Sequence, residues 1–318
     1  MEESQSLILT PRIFLQQYPK VEILINEFLA DCDVRANSKE TYRTGLLNYF
    51  RWICDNKIDF NSITNTEILR YKDWLGRDLE KMTSSTAGTY LIAVKQFYKW
   101  TEATKKYPNV AADVKLPKSI KKFVKHPLTE EQTRQLLRYF RDAGNKRNYA
   151  LIMFLIGTAC RTIEARRANV GDIEMLHGKR IIRVHGKGRS DKKDFVVLID
   201  NIYAALVEYW KERGEVKLID PIFVSQSKQN KGERLSTQII SYIAKDGMKA
   251  IGIDDKSYTA HSLRHSGAVL MLRRGAKMER VQGVLRHHSI ETTQIYTSVF
   301  DEEQRILDAP EELLSDIF

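Results

Sequence analysis

Apolar residues recur at three- and four-residue spacing through the first hundred positions, the pattern of helices with one buried face. Ile23, Leu24, Ile25, Phe28 and Leu29 predict a helix over Val21–Asp31. Asn37-Ser38 caps a second, carrying Tyr42, Leu46, Leu47, Phe50 and Ile53. Thr64-x-x-Glu67 is a capping box for a third, Glu67–Leu79. Ser84-Ser85 open a fourth, with Tyr90, Leu91, Val94, Phe97 and Trp100 inward. Together they predict a small all-α bundle whose aromatics form its core.

The pattern restarts at Leu128-Thr129-Glu130-Glu131-Gln132, a new cap ahead of Leu136, Leu137 and Phe140. An apolar helix over Tyr149–Gly157 leads through Thr158-Ala159-Cys160-Arg161 into a helix carrying Ile163, Glu164 and Ala165. Two strand-like runs follow, Arg180–His185 and Asp194–Ile199, joined by the glycine-containing stretch 186–193. Asn201–Arg213 and Ser236–Ile251 read as helices, and so does Thr259–Val299, broken at Gly275 and near His288-Ser289. The fold class is therefore mainly α with a small β-sheet. The expected division is a helical domain over 1–103, a linker over 104–126 and a mixed α/β domain over 127–318.

At 318 residues and 36.9 kDa, two domains suit the chain. No apolar run approaches the ~20 residues of a membrane helix, and the acidic start lacks a signal peptide's basic and apolar regions. Cys32, Cys54 and Cys160 are too few and too scattered for a disulfide or zinc framework. The expected home is the reducing cytoplasm.

Charge sharpens this picture. Lys+Arg is 51 against 41 Asp+Glu, a net +10 with a pI near 9.3, which suits a polyanionic partner. Seven lysines (105, 106, 115, 118, 121, 122 and 125) face one acid, Asp113, between Thr104 and His126. With Pro108, Pro117 and no evident helical period, the segment reads as an extended basic linker. Fully extended it would span about 75 Å at ~3.3 Å per residue. Lys115, Lys118, Lys121, Lys122 and Lys125 are its candidate DNA contacts. The last 18 residues invert the charge, with seven acids against Arg305. Pro310-Glu311-Glu312 opens a short helix there. Leu313, Leu314, Ile317 and Phe318 share one face of it, and so short a stripe needs a surface to dock on.

Four separated pieces carry candidate chemistry: Arg161, Lys187, the pair His261 and Arg264, and His287 with Tyr296. His261 and Arg264, at i and i+3, share a helix face. On their own they could be a surface pair, and Arg161 could be satisfied by Glu164. Two arginines on one anion also suit phosphoryl transfer, because the guanidinium fork grips two phosphate oxygens and stays charged. Tyrosine could then attack phosphorus, and a lysine on a hairpin could protonate the leaving oxygen. Lys192 and Lys193 are alternatives to Lys187. His261-x3-His265 has metal-ligand spacing, but no carboxylate or cysteine completes a site.

These residues resemble the tyrosine recombinase (phage integrase) family, nearest its bacterial Xer-like and transposon integrase branch. Thr158–Glu164 resembles the first arginine box, Gly186-Lys187-Gly188 the hairpin lysine box, Ala260–His265 the His-x-x-Arg box, and Leu285–Tyr296 the box ending in the nucleophile. The resemblance implies a SAM-like core-binding domain ahead of a catalytic domain, the two forming a C-shaped clamp on DNA. Arg161 and Arg264 would hold the scissile phosphate. Tyr296 would attack it to leave a 3′-phosphotyrosine. Lys187 would act as general acid, His261 would assist proton transfer, and His287 would hydrogen-bond the phosphate. No cofactor or metal is implied. The implied partners are double-stranded DNA bearing specific sites and three further copies, in a tetramer working through a Holliday junction. The tail over 301–318 would dock on a neighbouring subunit, and the setting would be the prokaryotic nucleoid. A type IB topoisomerase and a non-enzymatic architectural protein are the competing readings. The usual pattern is broken by Ala159-Cys160 and Ser298, and at Arg286, where a glycine is common. Arg286 is expected either to keep a helical backbone and touch DNA, or to mark a changed turn, with His287 rather than His288 facing the phosphate.

Overall fold

The helical spacing of the first hundred residues becomes four helices in the computed structural model, which describes residues 15–16, 18–77, 83–117, 126–185, 194–286, 306, 309–315 and 317. They are α1 Pro19–Asp31, α2 Ala36–Asp55, α3 Asn65–Arg77 and α4 Ser84–Ala103. The chain divides into two compact units, Met1–Lys122 and Phe123–Phe318. Thr64 caps α3: its hydroxyl accepts the Thr66 N–H at 3.2 Å, and Glu67 accepts the Thr64 N–H at 2.9 Å. The buried faces meet in an aromatic core. Phe97 stands edge-on to Phe28 and Phe50, with centroids 5.7 and 5.5 Å away. The Tyr49 and Tyr98 hydroxyls satisfy each other at 2.7 Å, and burial raises both phenol pKa values.

The segment expected to be an extended linker is not extended throughout. Tyr107, Val110, Ala111 and Val114 pack onto the helical unit. Tyr107 donates its hydroxyl to the Ile63 carbonyl at 2.7 Å. The Lys95 ammonium donates to the carbonyls of Ala111, Ala112 and Val114 at 2.9, 2.7 and 2.6 Å. The physical reason is an apolar i, i+3, i+4, i+7 spacing, which the flanking lysines and prolines obscure in the sequence.

The second unit contains α5 Glu130–Asp142, α6 Lys146–Thr158, α7 Thr162–Arg167, α8 Asp200–Arg213, α9 Thr237–Ala250, α10 Ala260–Arg273 and α11 Met278–Leu285. Its antiparallel sheet runs β1 Ile173–Leu176, β2 Lys179–Val184 and β3 Asp194–Val197, in that order. The register Ile173–Ile182–Val196 places these side chains on one face. Strand β1 goes beyond the two runs read from the sequence. The apolar helix α6 is sheathed on all sides: Leu151, Ile152, Phe154 and Leu155 pack in one core with Ile182, Leu206, Phe223 and Leu263. Gly275, at φ 86°, separates α10 from α11. The tail forms a 3₁₀ turn over Pro310–Leu314 rather than an α-helix, with Leu313 80% exposed; Phe318 lies outside the described residues. Among the described residues no helix is long and apolar enough to cross a membrane.

One contact sets how closely α10 approaches α6. A Cβ on Gly267 would lie 2.1 Å from the Ile156 carbonyl oxygen, a backbone atom that cannot swing aside. Gly267→Ala is therefore expected to cost about 3 kcal/mol, at the upper end of ordinary overpacking. Urea unfolding of the full chain measures it. A loss below ~1 kcal/mol would mean that the crossing yields freely.

Candidate active site

Helix α6 stops because Ala159 turns left-handed, at φ 48° and ψ 32°. That conformation carries a steric cost with a Cβ. It reverses the chain at once and delivers Arg161 to the N-cap of α7. The Arg161 N–H donates to Glu164 Oε2 at 2.7 Å, and its Nη1 donates to Oε1 at 3.0 Å. Arg161 keeps 20% of its side chain exposed, whereas Glu164 has none. Glu164 thus orients Arg161, as the sequence suggests.

Arg264 reaches the same carboxylate from α10. It is buried, and its Nη1 lies 3.8 Å from Glu164 Oε2. The same nitrogen donates to the Ala159 carbonyl at 2.6 Å, and Nη2 donates to the Leu285 carbonyl. One guanidinium therefore ties together the ends of α6, α10 and α11. His261, one turn earlier on α10, is exposed. Its ring stands perpendicular to that of His265, with centroids 4.6 Å apart. His265 is buried, a packing residue.

Arg286 departs from expectation. Its backbone is left-handed, at φ 53° and ψ 45°, so it keeps the conformation a glycine would favour rather than a helical one. Its side chain, only 5% exposed, turns inward onto Glu164 Oε2. This corrects the DNA-touching role read from the sequence, because the guanidinium of an inward arginine is already engaged. Glu164 is thereby surrounded by Arg161, Arg264 and Arg286. Burial pushes its carboxyl up, but Arg286, the Arg161 N–H and Arg264 outweigh burial and hold it below the usual value of 4.5. Cys160 is buried beneath, and burial raises its thiol pKa despite Arg286. It behaves as the small apolar residue its setting suggests.

Three guanidinium groups against one carboxylate leave a local cationic excess. Buried cations need anions, and Arg161 offers the most accessible of these forks to one from solvent. Lys187, His287, Tyr296, Lys118, Lys121, Lys122 and Lys125 lie outside the described residues; Lys115 is described and exposed.

Residues 126–303 match the phage integrase family, and residues 24–105 match the N-terminal SAM-like domain of phage integrases. The chain belongs to the phage integrase family. It is a tyrosine recombinase, an enzyme that cleaves and rejoins DNA strands at specific sites. Tyrosine recombinase XerD of Halalkalibacterium halodurans is 32% identical over 246 residues, 75% of this chain and 78% of that protein. The fold is shared with XerH site-specific recombinase bound to palindromic difH substrate in a post-cleavage complex. That likeness has a TM-score of 0.70 at 22% identity, over 86% of this chain and 80% of that one. It is shared also with a lambda integrase tetramer bound to a Holliday junction, at a TM-score of 0.67 and 16% identity, over 88% of this chain and 76% of that one. The recombinase therefore pairs a helical SAM-like unit with a mainly α catalytic unit built on a three-stranded sheet.

Proposed function

We propose that Arg161 and Arg264 cradle the scissile phosphate of a specific DNA site while Tyr296 attacks it. The supporting observation is that two arginines a hundred residues apart reach one buried carboxylate, with Arg161 still open to solvent. In the step, a bond forms between the tyrosine oxygen and phosphorus, and the bond to the 5′ oxygen breaks. The tyrosine proton leaves toward His261, and Lys187 protonates the departing 5′ oxygen. Charge growing on the phosphate oxygens is met by fixed guanidinium groups, which lowers the barrier preferentially. His287 adds a hydrogen bond to that phosphate. The phosphotyrosine conserves the bond energy, so a second strand's 5′-hydroxyl can reverse the step and complete exchange.

The working assembly in this reading is a tetramer on two duplexes, passing through a Holliday junction. The acidic tail, with Leu313 and Leu314 outward, docks on the neighbouring copy. A helical unit that takes in Tyr107–Val114, joined to the second unit by a short basic tether, suits a chain that holds DNA with both units. The prokaryotic cytoplasm, at the nucleoid, is the corresponding workplace.

The test is covalent capture. Nicked duplexes selected from randomised DNA by the wild-type protein should trap it, and peptide mass mapping should place the nucleotide on Tyr296. A label on another residue, or no adduct, would overturn the assignment. The tether makes its own prediction. Lys→Ala at 115, 118, 121, 122 and 125 should weaken DNA binding and flatten its dependence on salt by up to about 0.9 per lost phosphate contact, while sparing the cleavage rate of bound DNA. An unchanged slope in filter-binding titrations would remove the tether from the interface.

A further inference from the structure

Arg286 sits where an arginine has two reasons not to be. Its backbone is left-handed, which a side chain disfavours, and its cationic head is buried, which costs solvation. What holds it is a set of contacts reaching back to the first arginine box. Nη2 donates to Glu164 Oε2, and Nε reaches Oε1 at 3.4 Å. Nη1 donates to the Val284 carbonyl at 2.6 Å, and Nη2 lies 3.9 Å from Cys160 Sγ. The fork thus engages both oxygens of a carboxylate that also binds Arg161 through both its backbone and its side chain.

We infer that Arg286 is a positioning residue, which takes up part of the charge of Glu164 and fastens the turn after α11 to the Arg161 box, leaving Arg161 and Arg264 more of their pull on the scissile phosphate. Without Arg286, the Glu164 carboxylate would be shared by Arg161 and Arg264 alone. A guanidinium neutralised by an internal acid attracts a phosphate less. The turn that Arg286 fastens also leads directly to His287. The inference rests on the phosphate-cradle reading above.

The test compares Arg286→Gly and Arg286→Lys with wild type on the captured nicked duplex. Glycine suits φ 53°, so the Gly variant should fold, and its urea unfolding curve checks this. It should cleave at least tenfold more slowly at pH 7.5, with DNA affinity changed less than threefold. The groups facing Glu164 are Arg161, Arg264, Arg286 and Cys160, and Asp194 is the acid near Arg286. Once Arg286 is gone, burial is opposed only by Arg161 and Arg264, and the Glu164 carboxyl rises. Protonating Glu164 then releases Arg161 and Arg264, so the ratio of variant to wild-type rates should recover toward one as pH drops from 8 to 5.5. Arg286→Lys should recover part of the rate. Gln at 164 in the Gly background should abolish the extra pH dependence. A Gly variant within twofold of wild type across this range overturns the inference. So does a uniform slowing with a flat ratio and no recovery by Lys, which marks a structural role only. No adduct from wild type would instead sink the Tyr296 chemistry, and this role with it.

Discussion

Tyr296→Phe is expected to bind DNA as wild type does, yet to form no covalent adduct and no recombinant product. The substitution removes one oxygen, the atom assigned to attack phosphorus, and leaves the ring. The described hydrogen bonds of Arg161 and Arg264 go to Glu164, Ala159 and Leu285, so phosphate binding should survive. Loss of a covalent nucleophile is among the largest single effects in enzymology, on the order of 10⁶-fold where it has been dissected in a hydrolase. The variant should sit below the detection limit of a gel assay on nicked duplexes, roughly 1% of wild type. An ordinary tyrosine with a pKa near 10 is a poor nucleophile until neighbouring cations favour its anion. The cationic excess around Glu164 is of the right sign for that task. Adduct formation by the Phe variant at more than a few per cent of the wild-type rate would move the nucleophile elsewhere.

Glu164→Ala should have the second largest effect, and on two readouts at once. The carboxylate has no exposed surface and is surrounded by three guanidinium groups. Removing it leaves like charges buried beside one another. Breaking a buried ion pair from one side costs about 3–5 kcal/mol. For a unit of this size that lowers the thermal midpoint by roughly 10 °C. Cleavage should fall at least ~100-fold, because Arg161 loses both the bond to its N–H and the one to its side chain. The pH dependence follows from the sign of the shift. The folded Glu164 pKa lies below the ordinary 4.5, so its stabilisation is complete above ~4.5 and is lost as pH falls through the lower folded value. The stability gap between wild type and variant should therefore close only in strong acid. A gap already closed at pH 6 would contradict the ion-pair account.

The helices were legible because caps and periodicity agree. Thr64 with Glu67, and Thr129 with Gln132, announce α3 and α5: the Thr129–Gln132 capping box forms in full, and at α3 Glu67 reaches back to the Thr64 N–H while the Thr64 hydroxyl caps the Thr66 N–H. The first arginine box was legible for a similar reason, since an apolar helix ending at Thr158 must leave Arg161 near the interior. Strand β1 was not. It is four residues long, and its turn uses His177 and Gly178, both left-handed, in place of the asparagine or aspartate that usually marks such a hairpin. Arg286 was misjudged because an arginine suggests an exposed helix face, while its αL backbone and distant partner Glu164 are tertiary facts. Gly267 carries no local signal either, as its need for a bare Cα arises from the carbonyl of Ile156, more than a hundred residues away.

The Lys95 clasp changes what joins the two units. With the backbone pinned as far as Val114, about a dozen residues remain before His126. Such a leash reaches at most about 40 Å, roughly half of what the charge pattern implies. Two of its seven lysines drop out as well. Lys105 and Lys106 belong to the helical unit, where Lys106 pairs with Glu27 and lies over the Trp100 ring. The protein thus carries a shorter strap with a denser charge, one lysine for about every two or three residues from Lys115 to Lys125.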